Sequence, residues 1–386
     1  MSEPSEPTGL FHLALMLSDV LGRIPPLLIS PALAGMAAIA AWPWRYPALQ
    51  VAAGMTVALA AVGDGVSLAL LPRRGRSFGP VTPPLLALTL LRGALTFAIG
   101  AAWPTWPAFV LTAVLQAGLL ALQVYATWIE PFRLALTRIE LPAPWPTNPA
   151  PLRLLHISDV HFEGWTPRER RLLEVARAAA PDLILLTGDY LNLSTVEDAR
   201  AHAGVRALLQ ELSALAPTYA ITGSPPVDLP HVVPGIFADL PITWLVDRVA
   251  EVEVKGHPLR LVGLRCTRDR LADGERLRRL WLRDAEGRLT ILLYHSPDLA
   301  HEAAEVGADL YLAGHTHGGQ ICLPLFGALI TSSVFWKRYE RGRHRIGKTT
   351  LYVSRGLGME GLGAPRARFL SPPEVVLIEL RGVGDT

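Results

Sequence analysis

The chain has 386 residues, half of them hydrophobic, and a mean hydropathy of +0.30. That is apolar for a soluble protein and polar for one wholly buried in lipid. The formal charge of +2 decides little, but no basic tract is of the kind that argues for a nucleic-acid partner, and two cysteines, Cys266 and Cys322, in no ligand-type spacing argue against a disulfide framework.

The first residues, MSEPSEPTGL, are acidic and Pro-rich and lack the basic start of a secretory signal. Residues 1–23 read as an N-terminal segment, with an interfacial amphipathic helix over Leu10–Leu21. Residues 24–130 then carry four apolar stretches, Ile24–Trp44, Ala48–Leu71, Pro84–Trp103 and Pro107–Ile129. Each has the roughly 20 residues that a bilayer requires, so a four-helix transmembrane domain is expected. Trp42, Trp44, Trp103, Trp106 and Trp128 cluster at the stretch ends, as interfacial aromatics do. Arg23, Arg73, Arg74, Arg76, Arg133 and Arg138 flank one side and Arg45 the other. Positive flanks stay inside, which places both termini and the polar part of the chain in the cytoplasm of a multi-pass inner-membrane protein. Asp64 and Arg92 fall inside spans at nearly matching depth, and are expected to form an ion pair that locks two antiparallel helices.

Residues 131–150 read as a linker, because Leu141–Leu152 (LPAPWPTNPAPL) holds five prolines and is stiff and extended. From residue 151 to 386 short apolar runs alternate with helical patterns, the mark of a layered α/β domain. Strands are expected at 152–158, 182–189, 218–223, 259–264, 289–295, 308–314, 349–354 and 374–380. Thr166-Pro167-Arg168-Glu169 is a capping box with Pro at the first helical position.

Ligand-type residues follow these runs: Asp159-Val160-His161, Gly188-Asp189-Tyr190, Tyr294-His295-Ser296, and Gly314-His315-Thr316-His317-Gly318-Gly319. Loops at strand carboxyl ends are where open α/β sheets bind ligands. Asp with neutral His suits Mn, Fe or Zn, and neighbouring glycines let the backbone come close to an ion. Two ions about 3.5–4 Å apart clamp both the attacking and the leaving oxygen of a phosphoryl displacement, and a carboxylate is their natural bridge.

Over residues 152–380 this order of Asp-X-His, Gly-Asp, a later His and Gly-His-X-His resembles the calcineurin-like metallophosphoesterases. GHTHGGQICLPLFG, LYVSRGLG and SPPEVVLIEL look closer still to a membrane-associated bacterial branch related to YkuE and YaeI. The resemblance implies a four-layer α/β/β/α sandwich with a centre of two divalent metal ions. By motif position Asp159, His161 and His317 would bind the first metal, Asp189 would bridge, and His295 and His315 would bind the second. Asp189, His315 and His317 would be the catalytic residues, and a metal-activated hydroxide would attack phosphorus in line.

One motif departs from the family. Where it has Gly-Asn-His-Asp/Glu, this chain has Gly223-Ser224-Pro225-Pro226-Val227-Asp228. Ser224 would be a weak second-metal ligand in place of Asn, and Pro225 replaces a His that assists the leaving group. Asp228 and His231 are the nearby residues able to compensate. The function expected is a membrane-anchored hydrolase of a phosphodiester or diphosphate, lipid- or nucleotide-linked. The alternative is a degenerate member that binds metal and a phosphorylated ligand without turnover.

Overall fold

The computed structural model describes residues 17–146, 150–281, 288–363 and 365–383. Most of the segment expected to lie along the interface falls outside them. The chain divides into two compact units: residues 17–129 of the described chain with Glu360–Arg366, and Glu130–Met359 with Ala367 onward.

The first unit is helical: α1 (Ser30–Ala41), α2 (Pro47–Arg73), α3 (Thr82–Ala102) and α4 (Trp106–Val124), each with Pro at its first turn. Three helical stretches, Pro47–Arg73, Thr82–Ala102 and Trp106–Phe132, are long and apolar enough to cross a membrane. The first stretch is shorter than expected. Pro26–Ala41 has only 16 helical residues, because the chain turns at Trp42 and a new helix starts at Pro47. The four-span expectation thus reduces to three long helices and one short one.

Polarity in this unit is inverted relative to a water-soluble bundle. Val51, Met55, Leu59, Val62 and Val66 point outward, while Asp64, Thr89, Arg92, Thr96, Thr112 and Gln116 are buried. Trp42, Trp103 and Trp106 are exposed at helix ends, but Trp44 is fully buried edge-on against Phe109.

The Asp64–Arg92 pair is present and has no solvent exposure. Arg92 donates through Nε (2.7 Å) and Nη2 (2.9 Å) to the two Asp64 oxygens. Its Nη1 donates to the Gln116 carbonyl and to Gln116 Oε1, both at 2.9 Å, and Gln116 Nε2 donates to Thr96 Oγ1. Three helices are thereby joined by one satisfied polar network. Asp64→Ala is expected to destabilise this unit by about 3–5 kcal/mol, because Arg92 is left charged and unpaired. The Asp64→Ala/Arg92→Ala double variant should lose less, a difference that denaturation in detergent reads directly.

The second unit is a sandwich. Its first sheet runs β1-β14-β2-β3-β4-β5, with β1 (Ala135–Ala143), β2 (Leu152–Ile157), β3 (Leu183–Leu186), β4 (Thr218–Ala220), β5 (Ile242–Trp244) and β14 (Glu374–Gly382). Its second runs β12-β13-β9-β8-β7-β6, with β6 (Arg248–Val254), β7 (His257–Gly263), β8 (Leu289–Leu293), β9 (Leu310–Ala313), β12 (Gly342–Ile346) and β13 (Thr349–Val353). A short hairpin pairs β10 (Cys322–Leu323) with β11 (Gly327–Ala328). Leu154, Leu185 and Ile378 of the first sheet meet Leu261, Ile291 and Leu312 of the second in one core. Helices α5 (Pro167–Ala179) and α6 (Ala199–Ser213) cover the outer face of the first sheet, and α7 (Arg270–Trp281) and α8 (Ala300–Val306) that of the second. This is the expected α/β/β/α order.

All eight expected strands form, and so does the capping box: Arg168 N donates to Thr166 Oγ1 and Thr166 N to Glu169 Oε2. The connector is corrected. Residues 135–143, read as part of a linker, form β1, which runs parallel to β14 from Ala135↔Glu374 to Ala143↔Gly382. As an edge strand it has one pairing partner and alternates exposed and half-buried side chains, so it lacks the continuous apolar run of the central strands.

Candidate metal centre

The six candidate ligands all leave carboxyl ends of parallel strands. Asp159 and His161 follow β2, Asp189 follows β3, His295 follows β8, and His315 and His317 follow β9. Sheet-to-sheet stacking brings those loops together. Asp159 N donates to Gly188 O and His161 N to Asp189 O, both at 3.0 Å, while Gly314 N donates to His295 O at 2.8 Å. The two sheets are tied across the site by His315 N, which donates to Asp159 Oδ1 at 2.9 Å.

Two clusters result, Asp159/His161/His317 and Asp189/His295/His315, each with its ligand atoms within 4.8 Å of one another. In the first, His161 Nε2 and His317 Nε2 face each other at 3.1 Å, and His317 Nε2 lies 3.8 Å from Asp159 Oδ1. In the second, His295 Nε2 is 3.2 Å from Asp189 Oδ2. That same oxygen is 3.6 Å from His161 Nε2, so Asp189 stands between the clusters.

The backbone is strained at this site. Asp159, His161, Asp189, His315 and His317 all have positive φ, from 41° to 72°, a region that ordinary side chains avoid. Each such residue costs about 1–3 kcal/mol and persists only where its surroundings over-determine it. Glycines supply the room. A Cβ on Gly314 would collide with Ser158 and the Asp159 carboxylate, and one on Gly358 with His161. Gly358 belongs to the loop after β13, and its N–H donates to Asp159 O at 2.6 Å.

Outer partners set the tautomers. His295 Nδ1 donates to Thr187 O at 2.8 Å, which directs Nε2 at Asp189. His315 Nε2 contacts Ser332 O at 3.2 Å, which leaves Nδ1 facing the site. Burial, with His295 beside it, pushes His315 down to about 4, and burial with His161 depresses His317. Both imidazoles are thus kept neutral, the form that ligates a metal. Burial alone would raise Asp189, but the positive charge of His295 and the nearby His161 hold its carboxyl low.

The donor set fits divalent cations. Asp159 Oδ2 is buried without a hydrogen-bond partner among the described residues, and two imidazole nitrogens converge at 3.1 Å, where a cation would accept both lone pairs. Carboxylate and imidazole in this ratio suit Mn, Fe or Zn.

Ser224 follows β4 and reaches the second cluster. Its N–H donates to Asp189 Oδ1 at 2.6 Å, and its Oγ lies 3.3 Å from Asp189 Oδ2, 3.2 Å from His295 Nε2 and 3.4 Å from His315 Nδ1. Pro225 is exposed beside it. The two alternative donors are not brought to the ions' place. Asp228 spends both oxygens on the backbone N–H groups of Asp189 (2.8 Å), Tyr190 (3.0 Å) and Gly223 (2.6 Å). His231 pairs with Glu197 at 3.1 Å on the surface.

Asp228 is therefore a clamp that sets the Gly188-Asp189 turn against the Gly223-Ser224 turn. Asp228→Ala strands three buried amides, and is expected to lower metal affinity by about 10–100-fold, as loss of outer-shell support does. Metal titration with a fluorescent competitor checks it. Arg368 is a second clamp unseen in the sequence. Fully buried and pushed down to about 9 by burial, it donates to the carbonyls of Ser371 and Arg355, both at 2.9 Å, and of Gly358. Its only sequence signal is the neighbourhood of LYVSRGLG and SPPEVV; a lone Arg in a loop carries no pattern.

The model of the calcineurin-like phosphoesterase domain matches residues 152–319, which contain all six candidate ligands. Phosphodiesterase YaeI of Escherichia coli is 31% identical over 272 residues, covering 66% of this chain and 92% of that protein. The metallophosphoesterase YkuE of Bacillus subtilis is 29% identical over 275 residues, covering 67% and 89%. The UDP-2,3-diacylglucosamine pyrophosphatase LpxG of Chlamydia trachomatis is 27% identical over 327 residues, covering 69% and 95%.

Proposed function

Since this chain belongs to the calcineurin-like phosphoesterase family, we propose that it is a membrane-anchored, two-metal hydrolase of a phosphodiester or diphosphate borne by a lipid- or nucleotide-linked molecule. The observation that carries this reading is the position of Asp189 Oδ2, 3.2 Å from His295 Nε2 and 3.6 Å from His161 Nε2, between two ligand clusters. Asp159, His161 and His317 would hold one ion, and His295, His315 and Ser224 the other, with Asp189 shared. Two such ions supply Lewis-acid charge to phosphoryl oxygens and lower the pKa of water.

The protein's own groups orient and exclude. Thr187 O and Ser332 O fix the imidazole tautomers, Asp228 fixes the Asp189 turn, and the loop of Gly356 and Gly358 closes over Asp159 and His161. His315, the half-buried member of the set, marks the open side with Pro225. With Pro225 at the position where the family resemblance implies a His, the side chain at 225 has no proton to give the leaving group. A diphosphate leaves as a stabilised phosphate and needs that proton least. This favours an anhydride over an alkyl diester, and the pyrophosphatase activity of one relative supports the same class.

For anchoring, support comes from three long apolar helices and their inverted polarity. Arg73, Arg74 and Arg76 at the end of α2 and Arg133 and Arg138 after α4 are separated by two crossings, hence on one side. Positive flanks put that side, with the sandwich, in the cytoplasm. Whether α1 crosses alters only the side of the N-terminus.

A second reading, a degenerate member that binds without turnover, draws on Ser224 and Pro225. The test is paired. The full chain in detergent, loaded with Mn²⁺, is given a lipid-linked diphosphate and an alkyl phosphodiester. Release of phosphate monoester from the diphosphate, faster than from the diester, supports the proposal. Metal binding without release from either supports the second reading.

A further inference from the structure

The segment after the second metal cluster has an apolar surface that folding does not require. Between β10 and β11 the turn Pro324-Leu325-Phe326 projects into solvent: Leu325 is fully exposed, and Leu323, Phe326, Ile330, Val334 and Trp336 are exposed around it. Leu325 also has φ +64°, a left-handed turn position where Gly or Asn would sit without strain. A leucine held there, strained and wet, is unfavourable for the isolated fold on both counts.

The same segment is strongly basic. Lys337, Arg338, Arg341, Arg343 and Arg345 stand against a single acid, Glu340, between residues 321 and 346. Lys337 stacks over the Phe326 ring and donates to the Phe326 carbonyl at 2.7 Å, so cation and apolar tip form one surface. Glu340 is turned inward, accepting from Ala328 N at 3.3 Å, and Asp298 is taken up by Ser333 Oγ at 2.6 Å and Val334 N. The outward face is thus apolar at the tip and cationic at the base.

Apolar tip with cationic base is the chemistry of an interfacial anchor on anionic lipid. A bilayer is at hand if the three long helices cross one. A single exposed leucine would call for no explanation, but a contiguous apolar patch with a basic border does. We propose that residues 323–338 dock into the surface of an anionic bilayer. The reading goes beyond anchoring by the helices and rests on it only for the presence of lipid. It has a catalytic consequence. His315 Nε2 contacts Ser332 O within this segment, and β10 starts three residues after Gly319 of the His-Thr-His loop. Docking would hold the open side of the metal centre at the headgroup layer, where a lipid-linked diphosphate lies.

The test uses the full chain in nanodiscs. Leu325→Cys is labelled with a polarity-sensitive fluorophore, and Arg171→Cys on exposed α5 serves as the in-chain control. Cys266 and Cys322 are buried, and the unmutated chain measures any labelling of them. In discs containing phosphatidylglycerol, the label at 325 should shift to the blue and be quenched by spin-labelled lipid, while the label at 171 is not. Arg338→Ala should lower the inserted-to-free ratio roughly fivefold, the worth of one basic side chain near an anionic surface. A label at 325 as wet and unquenched as that at 171 overturns the proposal. So does a shift confined to discs holding two chains, which would assign the patch to self-association. Disc incorporation itself, read by size exclusion, tests helix anchoring separately.

Discussion

Asp189→Ala is expected to reduce bound metal from two ions per chain to one or none, and to lower hydrolysis by more than about 100-fold. Even outer-shell partners of metal ligands cost 10–100-fold, and Asp189 is the residue placed between both clusters. Alanine alone leaves an ambiguity, because Asp189 has φ +56° and takes the Ser224 N–H at 2.6 Å, so its loss disturbs the turn as well. Asp189→Asn removes it. Asparagine tolerates left-handed backbone and can keep the hydrogen bond, but a neutral amide cannot bridge two cations as a carboxylate does. Both variants should fail alike in metal content and rate, with the Asn variant retaining the wild-type unfolding profile in metal-free buffer. A disturbed turn alone would spare Asp189→Asn.

The double substitution Ser224→Asn/Pro225→His is expected to gain activity. Ser224 Oγ already lies 3.2 Å from His295 Nε2 and 3.4 Å from His315 Nδ1, so a side chain at 224 addresses the second cluster. A carbonyl oxygen is the better ligand there. Pro225 is exposed at the open side, and its ring donates no proton. A general acid is worth about 10²–10⁴-fold when the leaving group is poor. The double variant should therefore gain on alkyl phosphodiesters by up to that amount, and little on diphosphates or nitrophenyl esters. Rates across a series of leaving groups check it: the dependence on leaving-group pKa should flatten. An equal gain on all substrates would assign the effect to metal occupancy rather than to proton donation.

The central strands were legible because each buried both faces and so was written as an unbroken apolar run. DLILLTGD and ADLYLAG could hardly be read otherwise. Edge strands were not. β1 and β6 have mostly exposed and half-buried side chains, so ALTRIELPA and RVAEVEV lack the unbroken apolar run by which the central strands were found, and their period-2 alternation was the signal passed over. The six ligand-type residues stood out because imidazoles between glycines after apolar runs lack a packing role. What no sequence pattern carried was the support: the positive φ of five of them, the three amides gathered by Asp228, and the carbonyls gathered by Arg368. These depend on where separate loops meet in space. Asp228 illustrates the limit, since a carboxylate near a metal motif reads as a ligand until its oxygens are seen committed to backbone. The first helix shows another, as hydropathy counted through Pro43 and Trp44 where the chain turns.

Metal stoichiometry measured together with turnover tests the central claim most directly. The full chain in detergent is loaded with Mn²⁺, freed of excess, and analysed for bound metal and for hydrolysis of bis-p-nitrophenyl phosphate, beside Asp189→Asn. A dinuclear hydrolase predicts two ions per chain and a rate lost in the variant. One ion or fewer, with no turnover even in the Ser224→Asn/Pro225→His protein, would contradict it.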